Sequence, residues 1–145
     1  MTDTKLLGTF AVDSGQVMIG DPCYLKDWKD NDYKAKRIYT NGEDTLEWGK
    51  DFNNYDHDIV QPFGKTMNQL LQDDGFEEVK TEPSREYSYD GACQSTCSDA
   101  RGGTLGNTSF PQAVVSETGY GDGVYPVHAT YNEEGRIIEL TITFD

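Results

Sequence analysis

The feature that most constrains this chain is its last stretch, Gly119-Tyr-Gly-Asp-Gly-Val-Tyr-Pro-Val-His-Ala-Thr-Tyr131, then Asn-Glu-Glu-Gly, then Arg136-Ile-Ile-Glu-Leu-Thr-Ile-Thr-Phe144. Two runs rich in β-branched and aromatic residues, separated by a short polar loop with a glycine, predict a β-hairpin. With Tyr131 facing Arg136, Ala129 meets Ile138, Val127 meets Leu140 and Tyr125 meets Ile142. One face is then apolar (Tyr125, Val127, Ala129, Ile138, Leu140, Ile142, Phe144), and the other sets His128 opposite Glu139. A slip of one residue would turn every apolar side chain outward, so the buried face dictates the register.

Such a hairpin is the spine of an antiparallel core, and the preceding chain offers pieces to pair with it. Residues 8–20 hold two β-prone runs around Asp13-Ser14-Gly15, which predicts an N-terminal hairpin that ends at Pro22, where a strand donor is lost. Residues 25–58 are polar with irregularly spaced aromatics, which predicts loops and one short strand near Arg37–Thr40. Met67, Leu70 and Leu71 fall at helical spacing before Gly75, so a helix is expected over about 63–74. Glu86–Cys93 alternates like a strand, 94–109 reads as an irregular glycine-containing loop, and Pro111–Ser116 reads as a strand. The expected architecture is mainly β, of α+β type: one domain over 1–145, built as a single antiparallel sheet or sandwich, with one short helix packed on it.

The chain has 26 acidic against 12 basic residues, a net charge of −14. A surface of that sign is repelled by phosphate backbones and anionic membranes, which excludes direct nucleic-acid binding. Aromatics reach 12%, too many for a disordered chain. The amino-terminal residues form no apolar stretch of signal-peptide length, and no window has the composition of a membrane-spanning helix. With 3 cysteines, an odd number at low density, reduced thiols and a cytoplasmic setting are expected.

Three pieces stand out together: Val12-Asp-Ser-Gly15 with Asp21-Pro-Cys-Tyr24, Tyr87-Ser-Tyr-Asp-Gly-Ala-Cys93, and Gly119-Tyr-Gly-Asp-Gly-Val-Tyr-Pro-Val127. The chain thereby resembles a domain-of-unknown-function family of small uncharacterised proteins encoded by tailed bacteriophages and by bacteria. The resemblance implies a viral or bacterial cytoplasmic setting and carries no activity with it. His128 stands where it implies an aromatic.

The candidate chemistry is sparse. Cys93 and Cys97 have a C-x3-C spacing that Cys23 and His128 would complete as a zinc site, but the spacing is weak and the bland reading is unligated thiols. The aspartates between Asp27 and Asp58 match no calcium-loop pattern. The glycines around Asp122 lead into a strand, which reads as a turn with positive φ and not as an anion cradle. No cofactor is called for.

The best functional seed is aromatic. Tyr24, Trp28, Tyr89, Tyr120 and Tyr125 with Asp21, Cys23, Cys93 and Asp122 would form a binding surface, against the simpler view that a small β core is built from its aromatics. The resulting expectation is a small acidic cytoplasmic binding or accessory protein that contacts a host or phage protein. The alternative is a small hydrolase with Cys23 or Cys93 as nucleophile and His128 or Asp122 as base.

Overall fold

A computed structural model describes residues 2–145. In chain order the strands are β1 (Asp3–Val12), β2 (Gln16–Gly20), β3 (Ile38–Thr40), β4 (Thr45–Glu47), β5 (Ile59–Val60), β6 (Lys65–Thr66), β7 (Glu77–Val79), β8 (Gly102–Gly106), β9 (Pro111–Glu117), β10 (Gly123–Tyr131) and β11 (Ile137–Ile142). Two helices, α1 (Met67–Asp73) and α2 (Tyr89–Thr96), and a 3-10 turn over Pro22–Asp27 complete the described elements. The protein is mainly β, but the strands do not join one sheet. They divide into antiparallel sheets ordered β1-β10-β11, β2-β9-β8, β4-β3-β7 and β5-β6. The chain forms two compact units, residues 1–33 with 83–145, and residues 34–82.

In the first unit the terminal hairpin forms as β10 and β11, with a register different from that expected. Ala129 meets Leu140 and Val127 meets Ile142, so His128 faces Thr141 and not Glu139. The loop causes the displacement. Asn132 and Arg136 close it through a backbone bond of 2.9 Å, with Gly135 at φ 78°, and a bulge between Thr130 and Tyr131 absorbs the extra residue. The net displacement is even, so the strand keeps the same side toward the core.

The N-terminal hairpin does not form. Its two strands and its turn exist, but β1 pairs with β10 and β2 with β9. Gly15, at φ 68°, lets the chain leave one sheet and enter another. Val12 and Val17, either side of this corner, are buried with Tyr125, against which Phe10, Ile142 and Phe144 pack. For β1 the exchange is a gain in length, since β10 has 9 residues and β2 only 5.

Residues 86–93 are not a strand, and the single expected helix has a second beside it. Ser88 stops the extended segment because its Oγ accepts from Gly91 N at 2.9 Å, which caps α2. Asp90 in the first turn suits the helix dipole. Gly91 leaves room for the carbonyl of Glu86, into which any Cβ would project. The helix lies on β8 and β9, so the glycine-containing segment expected to be irregular supplies a strand. Tyr87, Ala92, Leu105, Ala113 and Val115 form this second core, closed at its edge by Tyr24 and Trp28.

The second unit holds the strand expected near residue 38 and the helix expected over 63–74. That helix is α1, shorter than foreseen because a capping box of Thr66 and Gln69 starts it at Met67. Met67 and Leu70 face Tyr39, Leu46, Phe52, Val60 and Phe76 in the core of this unit.

Candidate functional site

The residues singled out in the sequence fall into two groups at opposite ends of β2. At its start, Gln16 Nε2 donates to Cys93 Sγ at 3.4 Å, and Gln16 Oε1 accepts from Thr96 Oγ1 at 3.0 Å. Beside it, the Thr118 amide donates to the Gly15 carbonyl, while Gly121 O accepts from both Thr118 Oγ1 and Tyr125 Oη at 2.7 Å. The Gly119–Gly123 loop is thus a turn, with Gly119 and Gly121 at positive φ. Tyr125 belongs to the core and its hydroxyl is used up inside it. Tyr120 is 72% exposed, and Asp122 also lies at the surface.

At the far end of β2, Asp21 caps the 3-10 turn, its Oδ1 accepting from Cys23 N at 2.9 Å. Cys23 is exposed, and Tyr24 packs edge-on against Phe110. Cys23 and Cys93 therefore belong to different surroundings. The Cys93 thiol touches an amide and the Tyr89 phenol, and its hydrogen bond holds that phenol above its ordinary pKa. A phenol raised this way stays protonated near neutral pH and offers no base. His128 sits on β10 between Leu6 and Thr141, and among the described residues no thiol bonds to an imidazole. No group of three or more His, Cys, Asp or Glu stands together as a metal site among the described residues. Among them, too, no helix is long and apolar enough to cross a membrane.

The first unit also carries a cleft of about 590 Å³ that sequence reasoning missed, walled by Asp27, Lys29, Arg85, Glu86, Asn107 and Gln112 around Tyr87. The Lys29 amide donates to Tyr87 O and the Tyr89 amide to Lys29 O, which ties residues 85–89 to the chain after the 3-10 turn. On the other side Gly106 N donates to Arg85 O at 2.6 Å. Gly106 is at φ 102°, and a side chain there would run into Phe110 and Gln112. Glu86 accepts from Lys29 Nζ at 3.2 Å and Asn31 Nδ2 at 3.1 Å. Hydrogen bonds from Ser88, Lys29 and Asn31 hold its carboxyl below the usual carboxylate range. The only sequence signal for this site was Glu86-Tyr-Ser-Tyr-Asp-Gly91 itself. Its cap and close glycine approach were hidden by an alternation that mimics a strand.

A third feature is the outer half of the sheet β1-β10-β11. Leu6, Leu7, Ile137, Ile138 and Leu140 are each between 51% and 57% exposed. The sequence reading placed Ile138 and Leu140 on a buried face. The core around Val12, Val17 and Tyr125 reaches only as far as Ile142, so beyond it those side chains face solvent.

Residues 3–142 match a family model described as a protein of unknown function, DUF4241. No curated protein and no solved structure matches the chain.

Proposed function

From the premise that the chain belongs to the DUF4241 family of proteins of unknown function, we propose that it is a small acidic binding protein. In this reading it works in a bacterial cytoplasm, as a product of the bacterium or of a phage, by contact with another protein. The observation that carries the reading is the exposed outer half of β11, an edge strand whose first residues, Ile137 to Thr141, are all exposed. An edge strand with three large aliphatics and no proline is a template for pairing unless something covers it.

The occupant that fits is an extended segment of a partner, apolar at alternate positions and basic between them, added as a further strand. The surface charge selects its sign: the chain carries −14 overall, with Glu133, Glu134, Glu139 and Asp145 in or beside β11. Backbone bonds supply the affinity in such an addition, and charge supplies the rate and the choice of partner.

The test is affinity capture from a bacterial lysate with wild type and Leu140→Lys side by side. A partner held by the wild type, released by salt and lost by the variant supports the reading. Recovery of nothing at physiological salt, or of the same proteins by both, overturns it.

A further inference from the structure

We infer that the Arg85 cleft is a binding site for a small zwitterionic carboxylate, a molecule of amino-acid size that carries an amine as well. The chain has four arginines among 26 acidic residues, so an arginine with no partner at all stands out. Arg101 pairs with Glu117 and Arg136 with Glu134, and Arg37 lies over Trp48 and bonds to Tyr55. Arg85 alone of the four has no ion-pair, stacking or side-chain hydrogen-bond partner among the described residues, and it lines the cleft.

Its position is built. The backbone is held by Gly106, and Nη1 lies against β8 at Gly103, 3.3 Å from where a Cβ would stand. Against the same bare stretch of strand, 3.6 Å from that point, is the hydroxyl of Ser95, which is 1% exposed and has no hydrogen-bond partner. A buried hydroxyl without a partner costs free energy, so this one, beside Arg85 but outside the residues that wall the cleft, calls for a group to complete it. A guanidinium presents a planar fork matched to a carboxylate.

The remaining walls decide what else the ligand carries. Lys29 and Glu86 neutralise each other at 3.2 Å, which leaves Arg85 and Asp27 as the uncompensated charges of the cleft. Asp27 also lacks an ion-pair partner among the described residues and suits an ammonium. Asn107 Oδ1 is occupied by the Phe110 amide at 2.6 Å and by Ser109 Oγ at 2.9 Å, which leaves its amino group as a donor. A phosphate dianion would meet Asp27 and Glu86 as like charges, so a monoanion with an amine is favoured. A volume of about 590 Å³ admits such a molecule easily.

The experiment is a calorimetric or NMR titration of the full chain with acetate, 4-aminobutanoate, 6-aminohexanoate and inorganic phosphate. We expect saturable binding of one aminocarboxylate, weaker acetate and weakest phosphate. Arg85→Gln should weaken the aminocarboxylate by about tenfold or more, the loss of one charge-assisted pair. Arg85→Lys, which keeps the charge but not the fork, should fall between. Asp27→Asn should reduce the aminocarboxylate to the level of acetate and leave acetate unchanged. No saturable binding, phosphate bound most tightly, or an Arg85→Gln variant that is folded by circular dichroism yet binds like wild type would each overturn the inference. If Arg85→Gln unfolds, the Asp27→Asn comparison decides alone.

Discussion

Gly91 shows how one residue can carry a whole turn. Within a helix, glycine to alanine ordinarily stabilises by about 0.5–1 kcal/mol, because alanine loses less chain entropy. Here the added methyl would enter the carbonyl of Glu86, and the extended approach to the helix would have to move. Gly91→Ala should therefore destabilise, by about 1–3 kcal/mol on the scale of an overpacked site, read as a lower denaturant midpoint. A variant more stable than wild type would refute the close approach. Glu86 itself predicts a pH dependence. Its folded pKa lies below its unfolded one, so its contribution is complete above the unfolded value of about 4.3 and is lost as pH falls through the folded value. In Glu86→Gln the unfolding free energy should fall less steeply over that acid range. Identical acid limbs would mean that Ser88, Lys29 and Asn31 do not hold the carboxylate.

At the scale of elements, the sheet β1-β10-β11 has two halves with different energetics. The inner half packs Tyr125 and Ile142 against Val12, Val17 and Phe144, and truncation there would open a cavity. The outer half buries Ala129 but leaves Ile138 and Leu140 more than half exposed. Ile138→Lys and Leu140→Lys should each change stability by less than about 0.5 kcal/mol, as surface substitutions do. Thermal unfolding checks this, and it separates loss of a partner from loss of fold in the capture experiment. A fall of several degrees in melting temperature for either variant would mean that the outer half is core after all.

For the whole molecule, the two compact units predict how the chain comes apart. The junctions near Tyr33–Lys34 and Glu82–Pro83 carry no regular secondary structure, and basic residues flank them. Proteases cut first where the backbone is exposed and outside sheets and helices. Brief trypsin treatment should cleave at Lys34, Lys36, Arg37 or Lys80 before Arg101 or Lys65, which electrophoresis with mass spectrometry would show. First cuts at Arg101, just before β8, or at Lys65, in β6, would contradict the division.

What the sequence determined by itself are features set by local chemistry. Alternation in β10 established which side of that strand faces inward, the positive-φ glycines of the 119–121 loop made it a turn, and Met67, Leu70 and Gly75 marked α1 and its end. Those signals lie within a few residues of the structure they specify. Tertiary structure alone decided the rest. Nothing local to Asp13-Ser14-Gly15 says that β1 and β2 belong to different sheets, because the partners that separate them, β10 and β9, lie about a hundred residues away. Strand-like alternation at residues 86–93 gave way to a cap and a glycine contact that pay off only once β8 and β9 lie beneath the helix. The cleft was illegible for the same reason: Asp27, Arg85 and Gln112 share no motif, and only the backbone bonds through Lys29 and Gly106 bring them to one wall.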